Sequence, residues 1–148
     1  MRLRISIVGE KDAVQLGADA NALLAAILGG KAKLAFESEE VAQLFTTETT
    51  FAEVEEYALV LARKRHLSPD LPLLTLASLP VSIASTAEYS GGLSEARRRI
   101  SRRDPDDVDV FALALHLRLP LWSNDRDFEG TGVELLTTQD VLRNLRLI

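Results

Sequence analysis

At 148 residues, 47% of them hydrophobic, the chain has the size and apolar content of a single domain that closes its own core without covalent staples. It has no cysteine and only two histidines, His66 and His116, which excludes disulfides, thiolate metal sites and a cysteine nucleophile and argues against an ordinary His/Cys zinc site. A formal charge of −5 argues against holding nucleic acid by overall field, although five arginines crowd into one segment at Arg97, Arg98, Arg99, Arg102 and Arg103.

The opening stretch, MRLRISIVGEKD, lacks the long apolar run and small-residue cleavage site of a signal peptide. No segment approaches the roughly 20 apolar residues that span a bilayer, so a cytoplasmic address without a membrane partner is expected. AVQLGA, residues 13 to 18, reads as a strand ending at Asp19. ALLAAIL then reads as a helix stopped by Gly29-Gly30. VAQLFTT, residues 41 to 47, is a second strand, and Thr50 is read as opening the helix FAEVEEYALVLARKR, whose basic end suits the dipole. Pro69, Pro72 and Pro80 punctuate the middle, where VSIAS reads as a short strand and SEARRRISRR as a helix after Gly91-Gly92. DPDDVDVFALALHLRL begins with a good N-cap and continues as a helix apolar on nearly every side, hence buried. PLWSN, residues 120 to 124, leads to Asp125. VELLTT, residues 133 to 138, and QDVLRNLRLI close the chain as strand and helix. Such alternation predicts an α/β fold with a mostly parallel sheet covered by helices on both faces.

Parallel strands place their C-terminal ends on one edge, where open α/β sheets bind ligands. Asp19 and Asp125, distant in sequence, are expected to meet there. Each acid has a plain structural reading of its own: Asp19 as an N-cap, Glu53 as the distal half of a capping box with Thr50, Asp125 and Asp127 as turn residues. Asp104, Asp106, Asp107 and Asp109 suit the start of a helix, and periodicity does not choose among them. Together, however, they gather three or four carboxylates on one edge, where repulsion is costly unless a cation is bound. Magnesium takes hard oxygen ligands and needs neither histidine nor cysteine.

The segments ADANALLAAILGGKA, TTETTFAEVEEYA, RDPDDVDVFALALHL and PLWSNDRDF, in that order, resemble the PIN-domain nucleases, including the toxin nucleases of VapBC toxin–antitoxin pairs. The resemblance covers the chain from about residue 13 and implies a single three-layer PIN-like domain over 13–148. Residues 1–12 stand as an N-terminal extension or extra edge strand. It matches Asp19-Ala20-Asn21 to a D-x-N motif and Glu53-Val54 to the second acid. Counting back from Ala112-Leu113-Ala114 selects Asp107 as the third, and Ser123-Asn124-Asp125 supplies the fourth, with Asp127 a further candidate.

On that resemblance Asp19, Glu53, Asp107 and Asp125 are the expected catalytic residues of a magnesium- or manganese-dependent ribonuclease. Asp19, Asp107 and Asp125 ligate directly, and Glu53 completes the shell or holds a water. Asn21, Thr50 and Ser123 are candidates to orient the carboxylates. An acidic pocket repels RNA, so Arg97, Arg98, Arg102 and Arg103 are the first candidates to hold it, followed by Lys31, Lys33, Lys64 and Arg65. Trp122 reads as core. An antitoxin protein and a homodimer are the expected protein partners. The competing readings are an inactive PIN-like RNA-binding or assembly module, whose sign would be a missing acid, and a haloacid-dehalogenase-type phosphatase, which needs an acid where Asn21 stands.

Overall fold

The computed structural model describes residues 5–8 and 11–148, and side chains from residue 14 onward except at 41, 42 and 127. Strand β1 (Ile5–Val8) pairs antiparallel with β2 (Lys11–Ala18). After β2 come α1 (Ala20–Ile27), α2 (Ala32–Phe36), β3 (Val41–Thr47) and the long α3 (Glu48–Lys64). Then follow α4 (Asp70–Ser78), β4 (Val81–Ala84), α5 (Thr86–Tyr89), α6 (Leu93–Ile100), α7 (Val108–Leu117), β5 (Leu121–Trp122), β6 (Leu135–Leu136) and α8 (Thr138–Asn144). The strands lie in the order β4-β3-β2-β5-β6, and all four pairings along that path are parallel. The α/β class and the mostly parallel sheet expected from the alternation are therefore present.

Side chains alternate across a strand, and here successive residues serve two different cores. Leu44, Trp122 and Leu136 face one core with Ala22, Leu23 and Ala26 of α1, Val54 of α3 and Val141 and Leu142 of α8. Their neighbours Phe45, Leu121 and Leu135 face the other, with Tyr89, Ala96, Ile100 and the α7 run Val110 to Ala114. Helices thus cover both faces, giving three layers. Trp122 is fully buried, with its ring centroid 5.0 Å from that of Phe36 and its indole N–H donating to Thr138 Oγ1 at 3.0 Å, as a core residue should.

Several local expectations shift. Gly29 follows the last turn of α1 at φ +81, a left-handed position that suits glycine, so the Gly-Gly stop holds. Helix α3 starts earlier than Thr50: Thr47 is its N-cap and accepts from the Thr50 N–H at 2.9 Å, which removes the capping box proposed for Glu53. Strands β5 and β6 span two residues each, because only there do they lie beside a neighbour. His116, on the otherwise buried α7, is exposed, since the helix does keep one solvent-facing stripe.

Candidate active site

The parallel register builds the site. Gly17 pairs with Leu121 and Ala18 with Trp122, so the next residues, Asp19 and Ser123, emerge side by side at the C-terminal edge. The Asp19 N–H donates to the Trp122 carbonyl at 3.2 Å and fixes this step. On the other flank of β2, β3 ends at Thr47 and feeds α3, which carries Glu53 on its second turn.

Asp19 is 3% exposed and caps α1, its Oδ1 accepting from the Ala22 N–H at 2.9 Å. Burial raises its pKa; the Ser123 hydroxyl and the amides of Ala22 and Asn21 pull it down, while the Asp125 charge raises it. The capping role and proximity to a second acid therefore coexist in one side chain. Ser123, fully buried, hydrogen-bonds Asp19 and also accepts from the Asp125 N–H at 3.0 Å, which ties the two acidic segments together.

Asp107 ends a short 3₁₀ turn, Pro105–Asp107, just before α7. Its pKa is pushed up to about 7, first by burial and then by the charges of Asp19, Asp104, Glu53 and Asp125. Four acids from four segments are thus felt at one carboxyl. Carboxylate oxygens of Asp104, Asp107 and Asp125 all lie within 4.8 Å of one another. Two like charges at that separation repel by about 1 kcal/mol in bulk water and by about 3 to 4 kcal/mol at an effective dielectric near 20. All-oxygen donors converging in this way fit a hard divalent cation.

Asp104 was not among the expected site residues. Its position in a helix-start run suggested a dipole role, yet it makes no side-chain cap bond there. The legible signal was its spacing: in a 3₁₀ turn residues i and i+3 eclipse, so Asp104 and Asp107 share a face. The Asp107 N–H to Asp104 carbonyl bond, 3.0 Å, closes that turn.

Glu53 is exposed at the rim. Its pKa is raised by burial first, then by Asp106, Glu56 and Asp109, so it faces the acids flanking Asp107. Of the three orienting candidates, Ser123 touches the acids, Asn21 is exposed, and Thr50 receives the Thr47 hydroxyl at 2.8 Å within the α3 cap. The side chain of Asp127 lies outside the described residues. Beside the site, buried Tyr89 donates its hydroxyl to Asp109, which also accepts from Thr49 Oγ1 at 3.3 Å; the pair joins α7 to α3 and α5.

Comparison with known proteins places this arrangement. A family model described as PIN domain matches residues 18–146, so the chain belongs to the PIN-domain family, the nucleases its acidic motifs resemble. Its fold is similar to that of the PAE2754 protein of Pyrobaculum aerophilum, with TM-score 0.69 at 17% identity over 91% of this chain and 91% of that chain. A toxin–antitoxin complex from Klebsiella pneumoniae aligns with TM-score 0.61 at 24% identity, covering 83% of this chain and 97% of the other. VapC20 of Mycobacterium tuberculosis, a sarcin-ricin loop cleaving toxin, aligns with TM-score 0.57 at 17% identity over 80% and 95%. No curated protein sequence matches the chain. No helix among the described residues is long and apolar enough to cross a membrane.

Proposed function

We propose that this PIN domain is a metal-dependent endoribonuclease, using magnesium or manganese to hydrolyse RNA phosphodiester bonds. The observation that carries the reading is the meeting of Asp104, Asp107 and Asp125 within 4.8 Å, with Asp19 and Glu53 close enough to raise the Asp107 pKa. Asp104, Asp107 and Asp125 would hold the cation, with Asp19 completing the donor set. A cation held there would acidify a water and offset charge on the phosphate. The chain's own residues position the rest. Ser123 holds Asp19 and the Asp125 segment in mutual register, and the exposed Glu53 would accept a hydrogen bond from the attacking water.

The likeness to a toxin–antitoxin complex and to VapC20 supports the narrower reading of a toxin restrained by an antitoxin. The test is cleavage of a mixed single-stranded RNA with magnesium, with manganese and with EDTA, using the wild-type chain beside Asp19→Asn and Asp107→Asn. Metal-dependent cutting lost in both variants is the expected result. A folded wild type that binds RNA and cuts under none of these conditions would leave a binding module instead.

A further inference from the structure

The arginine segment 97–103 is the densest positive charge in an acidic chain, but its members are not equivalent. Glu95 on α6 is claimed by two of them: Arg98 binds it through Nε at 3.0 Å and through Nη2, and Arg99 Nε donates to it at 2.6 Å. The pairing holds the Glu95 carboxyl down at about 2. Arg99 also reaches across to the loop after β5, where its Nη1 donates to the Thr131 carbonyl at 2.6 Å. Gly132, next in that loop, sits at φ +95, and a Cβ there would run into the Arg99 guanidinium. Arg99 thus clamps α6 to the segment that begins at Asp125.

Arg102 and Arg103 differ in their pairing. They are exposed, as Arg98 is, but the ion pairs among the described residues involve Arg98 and Arg99 and neither of these two. They occupy the turn that immediately precedes Asp104, so Arg103 is one Cα step, about 3.8 Å, from a member of the carboxylate cluster. Arg103 lines an open cleft of about 440 Å³ together with Arg98, Arg99 and the loop Gly130 to Gly132. Lys64 is eleven residues beyond Glu53 on α3, roughly 17 Å away along the helix and toward the opposite edge of the sheet.

We propose that the segment is divided by role: Arg99 braces the loop that follows Asp125 and Arg98 is held by Glu95, while Arg102 and Arg103 form a subsite for the sugar–phosphate backbone of single-stranded RNA beside the carboxylate cluster. This rests on the ribonuclease reading above and adds where the polyanion is held. Such a subsite resolves a conflict in charge. A pocket of five acids in a chain of net charge −5 repels RNA, and two cations in the turn that leads into Asp104 would offset that locally.

The test is the salt dependence of RNA binding, followed by fluorescence anisotropy of a labelled single-stranded oligoribonucleotide. It uses the 148-residue chain carrying Asp107→Asn in magnesium, so that cleavage does not intrude. Each phosphate contact to a single strand contributes about 0.7 to the slope of log K against log salt, so Arg102→Gln with Arg103→Gln should lower the slope by about 1.4. Arg98→Gln should leave it unchanged. Arg99→Gln should lower the melting temperature, which the Arg102/Arg103 pair should not. An equal loss of slope from Arg98→Gln, or an unchanged slope in the double variant, overturns the division while leaving the nuclease reading intact. Absence of RNA binding in every chain overturns both. A wild type that never cuts RNA, in company with a slope that falls as stated, removes the nuclease reading and keeps the subsite.

Discussion

Without a cation the carboxylate cluster is a liability, and Asp107→Asn should stabilise the metal-free protein. The Asp107 pKa rises from an ordinary 3.8 to about 7, so the folded state holds a proton that the unfolded chain has released across that interval. The favourable contribution is complete below about 4 and is lost as pH climbs through about 7. Three pKa units correspond to a ceiling of about 4 kcal/mol, and since the side chain is only half-buried, screening reduces this to about 1 to 2 kcal/mol. For a domain of this size each kcal/mol moves the melting temperature by about 2 to 4 °C. In EDTA at pH 8 the variant should therefore melt roughly 2 to 8 °C above wild type, with the gap closing at pH 4. Saturating magnesium or manganese should reverse the order, because ligand at a hundredfold over Kd adds about 2.7 kcal/mol to a chain that binds it. Thermal melts across pH, with EDTA and with metal, read all of this. A variant no more stable than wild type at pH 8 in EDTA would refute the claim that these acids repel one another.

Other perturbations probe the supporting structure. Tyr89→Phe removes the hydroxyl that donates to Asp109 and should cost about 1 to 2 kcal/mol in urea unfolding; no change would show that the pair contributes nothing to joining α7 and α3. Ser123→Ala takes away a hydrogen bond that lowers the Asp19 pKa, so carboxyl titration by NMR should find Asp19 displaced further upward, and a downward move would contradict its placement. Gly132→Ala places a side chain at φ +95 against Arg99 and should cost about 1 to 3 kcal/mol, with an unaltered melt counting against the brace. Trp122→Ala empties a fully buried site and should cost about 3 to 5 kcal/mol, measured in the same way.

The sheet was legible because strand and helix patterns alternate, and parallel pairing then forces Asp19, Glu53 and Asp125 toward one edge. What sequence periodicity could not resolve was local. The start of α3 moved to Thr47 because its hydroxyl, rather than that of Thr50, meets the first free amides. In the run Asp104 to Asp109 an all-round apolar helix gives no face to count from. The 3₁₀ turn that pairs Asp104 with Asp107 becomes visible only once Pro105 is seen to open a tighter helix than α7. The arginines were counted as one patch because charge is readable in sequence and pairing is not: Glu95, three and four residues before Arg98 and Arg99, was the available sign.

The measurement that bears most directly on the central claim is anomalous scattering from crystals of the chain grown with manganese. The account predicts a manganese ion bound by carboxylate oxygens of Asp104, Asp107 and Asp125, lost on Asp107→Asn. Crystals that show no ion between these three acids at saturating manganese, or an ion bound elsewhere on the chain, would contradict it.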